Sequence, residues 1–215
     1  MKHISIFFTL LLTTFSLSAQ EFYGGLLAGF NGSQINHDNN SGYHKMGLVG
    51  GAWIQRDLST NWYWGMELKV NQKGMRIKPT KENGQAKYVY RLNYIDLPVL
   101  IGYGYDPTFS FFGGLSFAYL FNKHGIDNFG IDSYVQYDNI SNWELSMFAG
   151  IKVNFRELIN QPWAERLTLE TRFQYSALSI DKYHDLFTRY KSSIGKFNNV
   201  ISSALYYRIE WDNIN

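Results

Sequence analysis

Apolar and polar residues alternate with period two along most of this chain. Trp62, Trp64, Met66, Leu68 and Val70 fall on one face, and Tyr63, Gly65, Glu67, Lys69 and Asn71 on the other. Phe109, Phe111, Leu115, Phe117, Tyr119 and Phe121 oppose Ser110, Gly114, Ser116, Ala118 and Asn122. Trp143, Leu145, Met147, Ala149, Ile151, Val153 and Phe155 oppose Glu144, Ser146, Gly150, Lys152 and Asn154. Leu167, Leu169, Phe173 and Tyr175 oppose Thr168, Glu170, Arg172 and Gln174, and Ile201, Leu205, Tyr207, Ile209 and Trp211 oppose Ser202, Ala204, Tyr206, Arg208 and Glu210. Successive side chains of a strand point to opposite faces, so each segment predicts a strand with one apolar and one polar face.

Three further strands are less regular. Residues 22–31 carry Gly on both faces. In residues 45–56, Leu48, Ala52 and Ile54 compete with Val49 and Trp53 for the apolar face. Residues 88–103 begin with Tyr90, Leu92 and Tyr94 on that face, then change phase to Ile95, Leu97, Val99 and Ile101. A slip of one residue predicts a β-bulge in this strand, with Pro98 just beyond it.

The connections add topology to this count of eight. Residues 32–44, 77–87, 123–141 and 179–198 are long links, whereas 57–61 and 104–108 are short and 157–165 intermediate. Long and short links alternating between antiparallel strands are the pattern of an up-and-down outer-membrane barrel, with short periplasmic turns and long outer loops. The expected fold is therefore all-β, an eight-stranded antiparallel transmembrane β-barrel.

The start of the chain gives an address. Lys2 is followed by a mostly apolar run over residues 4–17 and then by Ser18-Ala19-Gln20. This reads as a secretory signal peptide over residues 1–19, cut after Ala19, leaving 20–215 as the barrel domain. The run is too short to span a bilayer as a helix, and no later apolar stretch is long enough. A closed barrel remains open to an exported chain, because closure satisfies every backbone polar group between strands.

Composition then decides between faces. Charged residues are only 18% of the 215, while 16 Phe, 16 Tyr and 6 Trp make 18% aromatic. The apolar faces begin and end on such residues, as in Trp62 and Trp64, Phe109 and Phe121, Trp143 and Phe155, and Tyr207 and Trp211. Aromatic residues favour the two membrane interfaces, so the apolar face is expected toward lipid. A soluble barrel with an apolar cavity would show the same period and is the competing assignment. The polar faces carry Glu67, Lys69, Arg91, Asp96, Lys152, Glu170, Arg172, Arg208 and Glu210. An eight-stranded lumen is just wide enough for side chains to fill, so these are expected to pair there as a structural ion network. The formal net charge of +2 offers no basic face for nucleic acid, and the lack of Cys excludes disulfides and thiolate metal sites.

Several segments also resemble a family. Gly24-Gly25-Leu26-Leu27-Ala28-Gly29-Phe30-Asn31, Gly50-Gly51, the run Met66 to Gly74 ending in Lys73-Gly74, and Gly113-Gly114 match its strands. Most specific is Tyr94-Ile95-Asp96-Leu97-Pro98-Val99-Leu100-Ile101-Gly102-Tyr103, similar to its Tyr-Leu-Glu-Ile-Pro run. The chain thus resembles the PorT-like outer-membrane β-barrel family of the Bacteroidetes type. The resemblance implies the same eight-stranded barrel, and a link to type IX secretion known for some members. It brings no catalytic residues with it.

Chemistry is sparse. His37 or His44 with Asp38, and His184 with Asp181 and Asp185, could approach a metal, and Ser179 lies near the second group. All sit in predicted loops without the support that a triad or metal site requires. No phosphate-binding, dinucleotide or zincin motif occurs. Catalytic residues, cofactors, metals and small-molecule substrates are therefore not expected. The outer loops carry Tyr43, Tyr134, Tyr137, Tyr183, Phe187 and Tyr190, which suit contact with a partner or ligand. The expected role is a non-enzymatic structural or accessory barrel in contact with outer-membrane lipid and other envelope or secretion proteins. The alternative is a ligand-binding or adhesin barrel acting through those loops.

Overall fold

The structure is a computed structural model, and it describes residues 22–36, 42–79, 81, 87–126, 140–156, 158–159, 161–181 and 195–209. Eight strands follow one another: β1 (Tyr23–Asn36), β2 (Lys45–Asp57), β3 (Trp62–Ile77), β4 (Tyr88–Gly104), β5 (Phe109–Ile126), β6 (Trp143–Asn154), β7 (Leu167–Ser176) and β8 (Phe197–Ile209). Each pairs antiparallel with the next, and β8 returns to β1 to close the barrel, with Ala28 opposite Gly50 on one side and Leu205 on the other. Closure removes the two edges that an open sheet would expose. The links β2–β3, β4–β5 and β6–β7 lie at one end, called here the short-turn end, the last carrying a 3₁₀ turn at Ala164–Arg166.

The outer wall is apolar. Leu26, Phe30, Leu48, Leu68, Val70, Leu97, Val99, Leu115, Phe117, Met147, Phe173 and Leu205 are all exposed. A monomeric soluble protein does not present so continuous an apolar surface. Trp62 packs edge-on to Tyr103 at 5.1 Å near the short turns, and Trp143 sits 4.7 Å from Tyr119 toward the other end. Beyond that second girdle the outward positions turn polar. Gln72 Nε2 donates to Asn93 Oδ1 at 3.2 Å, and Asn93 Nδ2 to Asn122 Oδ1 at 3.1 Å. From Tyr103 to Asn93, residue steps of about 3.4 Å at a tilt of about 40° give a rise of about 26 Å, the height of an outer-membrane apolar band. One polar pair, Thr171 and Ser203, lies within the band, and their hydroxyls bond each other at 2.9 Å.

The faces of β3, β6, β7 and β8 are as their alternation predicts, and β5 follows it as far as Leu120; beyond the extra residue Phe121, Asn122 turns outward and not into the lumen as alternation predicts. In β2 the competition resolves with Val49 and Trp53 inward and Leu48, Ala52 and Ile54 outward. β4 departs from expectation. Tyr90, Leu92, Tyr94, Asp96 and Leu100 all point inward, so the strand keeps one phase throughout. The irregularity belongs to β5 instead: Asn93 pairs with Asn122 and Tyr94 with Leu120, leaving Phe121 as the extra residue. The apparent slip in β4 is a change of lumen contents, from apolar side chains near the long loops to polar ones deeper in.

Candidate functional site

Among the described residues, ionisable side chains concentrate in the lumen. Inward positions two apart on neighbouring strands bring eight charged side chains to its middle. Arg172 Nη2 on β7 lies 2.6 Å from Glu67 Oε1 on β3 and 2.8 Å from Glu170 Oε1. Lys69 Nζ is 3.1 Å from Glu67 Oε2, and Lys152 Nζ is 3.7 Å from Glu170 Oε2. Tyr206 donates its hydroxyl to Glu67 Oε1 at 2.9 Å. Toward the long loops, Lys73 Nζ sits 3.4 Å from Asp96 Oδ1 and 3.2 Å from Glu144 Oε1. Asn71 Nδ2 donates to Asp96 Oδ2 at 3.0 Å, and Asn198 Nδ2 and Ser176 Oγ donate to the two oxygens of Glu144 at 2.8 and 2.9 Å.

The four cations and four carboxylates balance. Among the described residues, Nε and Nη1 of Arg172 have no hydrogen-bond partner; instead the guanidinium lies 4.2 Å from the Phe148 ring and 5.1 Å from the Phe112 ring. Ring faces attract the cation on the sides that no carboxylate reaches.

Above the network the lumen becomes apolar. Ile35, Met75, Tyr90, Leu92, Tyr94, Ala118 and Leu120 are joined by Ile140 and Ile180. These last two come from the β5–β6 and β7–β8 connections, which meet through an Ile140–Asp181 bridge and a Ser141 N–H to Ile180 carbonyl bond of 2.7 Å. The long-loop mouth is thus filled by side chains from strands and loops together. The short-turn mouth holds a cavity of about 170 Å³ whose walls include Tyr23, Trp53, Tyr63, Lys152 and Arg208.

Of the lumen residues expected from sequence, Glu67, Lys69, Asp96, Lys152, Glu170 and Arg172 all meet in this region. Arg208 lines the short-turn cavity, and Glu210 lies outside the described residues. Arg91 is a correction. It points outward and is exposed, because Tyr90 and Leu92 occupy the inward positions on either side of it. Lys73 and Glu144 were missing from the expected set. Glu144 stands opposite Trp143 in its alternating segment, and Lys73 is one inward step beyond Asn71, so the same period reaches both.

Among the loop residues, Tyr43 donates its hydroxyl to Asn199 Oδ1 at 2.7 Å, which ties it to the rim of β8. Tyr134, Tyr137, Tyr183, Phe187 and Tyr190 lie outside the described residues, as do His37, Asp38, His184 and Asp185. Among the described residues no three His, Asp or Glu side chains group in a way that could hold a metal.

Tyr206 offers a mild test of the network. Tyr206→Phe removes one hydrogen bond to the Glu67 carboxylate, and bonds to charged groups contribute about 1.5–3 kcal/mol. Urea unfolding of the barrel in lipid vesicles should show a loss of that size with an unchanged denaturant slope. An unchanged midpoint would mean that the hydroxyl contributes nothing.

The model of the outer membrane protein beta-barrel domain family matches residues 18–180. Among solved structures, Neisserial surface protein A superposes with a TM-score of 0.50 at 9% identity, covering 87% of this chain and 97% of that one. Ail, the attachment invasion locus protein of Yersinia pestis, solved in complex with the heparin analogue sucrose octasulfate, gives 0.49 at 12% identity over 88% and 99% of the two chains. The outer membrane protein OprG from Pseudomonas aeruginosa gives 0.36 at 12% identity over 88% and 95%. At such identities the likeness is one of fold. No curated protein matches this chain.

Proposed function

Because this chain belongs to the outer membrane protein beta-barrel domain family, we propose that it works as a closed, non-conducting and non-catalytic barrel, a structural or accessory component of an envelope complex. The observation that carries this reading is the filled lumen, with a charge-balanced network at mid-height and the apolar cluster of Ile35, Tyr90, Leu92, Ile140 and Ile180 above it. An ion crossing it would have to displace buried side chains that are already paired in charge, and burying an uncompensated charge is costly. In this reading residues 1–19 are removed on export, the short turns face the periplasm and the long loops face outward. The similarity of residues 94–103 to PorT-like barrels supports a secretion complex as the setting.

The test is electrical. Purified barrel reconstituted in a planar bilayer should give flat current traces under applied voltage. Large, stable conductance steps would overturn the reading. Capture in mild detergent, followed by identification of co-purifying envelope proteins, then tests the accessory role.

A further inference from the structure

We infer that the outward face of β3, β4 and β5 binds the phosphorylated headgroup of a lipid in the outer leaflet, with an acyl chain lying below it on β2, β3 and β4. The inference rests on the orientation given above, with the long loops outward.

Three observations place it there. The first is charge. Outward of the Gln72–Asn93–Asn122 row, Gly74, Arg91 and His124 lie side by side across the three strands, and Arg76 follows opposite Val89. Arg76 and Arg91 are exposed, as are Lys78, Lys81 and Lys87 in the β3–β4 connection. No Asp or Glu points outward among the described residues of this half of β2 to β5, Asp96 being buried in the lumen; Glu82, outside them, is the one acidic residue of the β3–β4 connection. Among the described residues, exposed cations of the outer half therefore gather in this sector of the wall.

The second is height. The amide row marks where the apolar band ends on these strands, and headgroups sit at that level. Side chains held just beyond it meet phosphate, and each Lys or Arg near a charged lipid surface contributes about 1 kcal/mol. The amides are themselves fixed, since Lys45 Nζ donates to Gln72 Oε1 at 3.2 Å and extends the row to β2.

The third is shape. Below the cations, Ala52, Ile54, Met66, Leu68 and Leu97 border an apolar notch of about 200 Å³ on the lipid face. It has a local cause. The β3–β4 ladder passes from Met66–Val99 to Lys69–Asp96 across Pro98, which has no N–H to donate, and Ala52 leaves room beside it. Arg91 and Leu97 are about 20 Å apart along β4, the reach of one extended acyl chain. A cationic patch above an apolar notch fits a molecule with a phosphate at one end and a hydrocarbon chain at the other.

The test uses the purified full chain in non-ionic detergent, titrated with diphosphoryl lipid A and with its dephosphorylated counterpart, bound lipid being counted by native mass spectrometry. The phosphorylated form is expected to bind at least tenfold more tightly. The double variant R76Q/R91Q should lose that preference while keeping the heat-dependent gel shift of a folded barrel. Ala52→Phe, which fills the notch, should weaken both lipids alike. Equal binding of the two lipids to the native chain, or an intact preference in R76Q/R91Q, would overturn the proposal. Displacement of lipid A by millimolar inorganic pyrophosphate would also overturn it, by reducing the patch to a site for free phosphate. Binding in detergent does not depend on orientation. A membrane-impermeant maleimide on intact cells carrying Lys81→Cys tests that separately: labelling supports the outer-leaflet placement, and its absence overturns that placement alone.

Discussion

Arg172→Ala is expected to cost the barrel about 3–5 kcal/mol, the typical penalty for removing one partner of a buried ion pair. Arg172 is only 1% exposed and bridges Glu67 and Glu170 at 2.6 and 2.8 Å. Truncation leaves two carboxylates in the lumen with only Lys69 and Lys152 to hold them, the second at 3.7 Å. It also takes the cation from the Phe148 and Phe112 rings and opens a space beside them. The fall should be visible as an earlier urea midpoint in lipid vesicles, followed by the intrinsic fluorescence of the tryptophans. Replacing the whole group together, Glu67, Glu170, Arg172, Lys69 and Lys152 by neutral residues of similar size, should recover much of the loss, because none of its charges is then left without its partner. A single variant as stable as the native chain would mean that the bridge does not hold the wall.

Val99→Arg is expected to cost about 2–4 kcal/mol and to slow insertion into vesicles, the penalty for a cation near the middle of the lipid face of a barrel. Val99 is 46% exposed, lies midway between Tyr103 and Ile95 on β4, and is flanked by Met66 and Leu115 on the neighbouring strands. In water the same substitution at an exposed strand position would change stability by less than about 0.5 kcal/mol. The measurement is the unfolding midpoint in vesicles of fixed lipid composition, with Arg91→Lys as a control beyond the apolar band. Equal effects at the two positions would argue against a lipid-facing wall at Val99.

The charged residues that alternation and the structure both put in the lumen differ from Arg91 in a simple way. Glu67, Lys69, Glu170 and Arg172 sit where the opposite face is largely apolar, from Trp62 to Val70 on β3 and from Leu167 to Tyr175 on β7, so alternation separates the two sides there. On β4 it does not, because Tyr90, Leu92 and Tyr94 are apolar and yet point inward, where they pack with Ile35, Ile140 and Ile180. A lumen-filling aromatic and a lipid-facing aromatic are indistinguishable in sequence. Alternation therefore puts Arg91 in the lumen and the slip in β4, whereas Arg91 points outward and Phe121 on β5 is the extra residue. Lys73 and Glu144 lay within reach of the same period. Their partnership did not, since it joins β3 to β6 across the barrel, 71 residues apart in the chain.

Local pattern therefore determined the strands, their number, their order and the alternating lengths of their links. Those follow from backbone geometry, which sends each side chain to the face opposite its neighbour's. Period two says that two faces differ without saying what each one meets. Only closure of β8 onto β1 decided which apolar residues enter the lumen, which cations leave it for the lipid boundary, and which charges become partners. Those choices depend on distances across the barrel, and no span of sequence contains them.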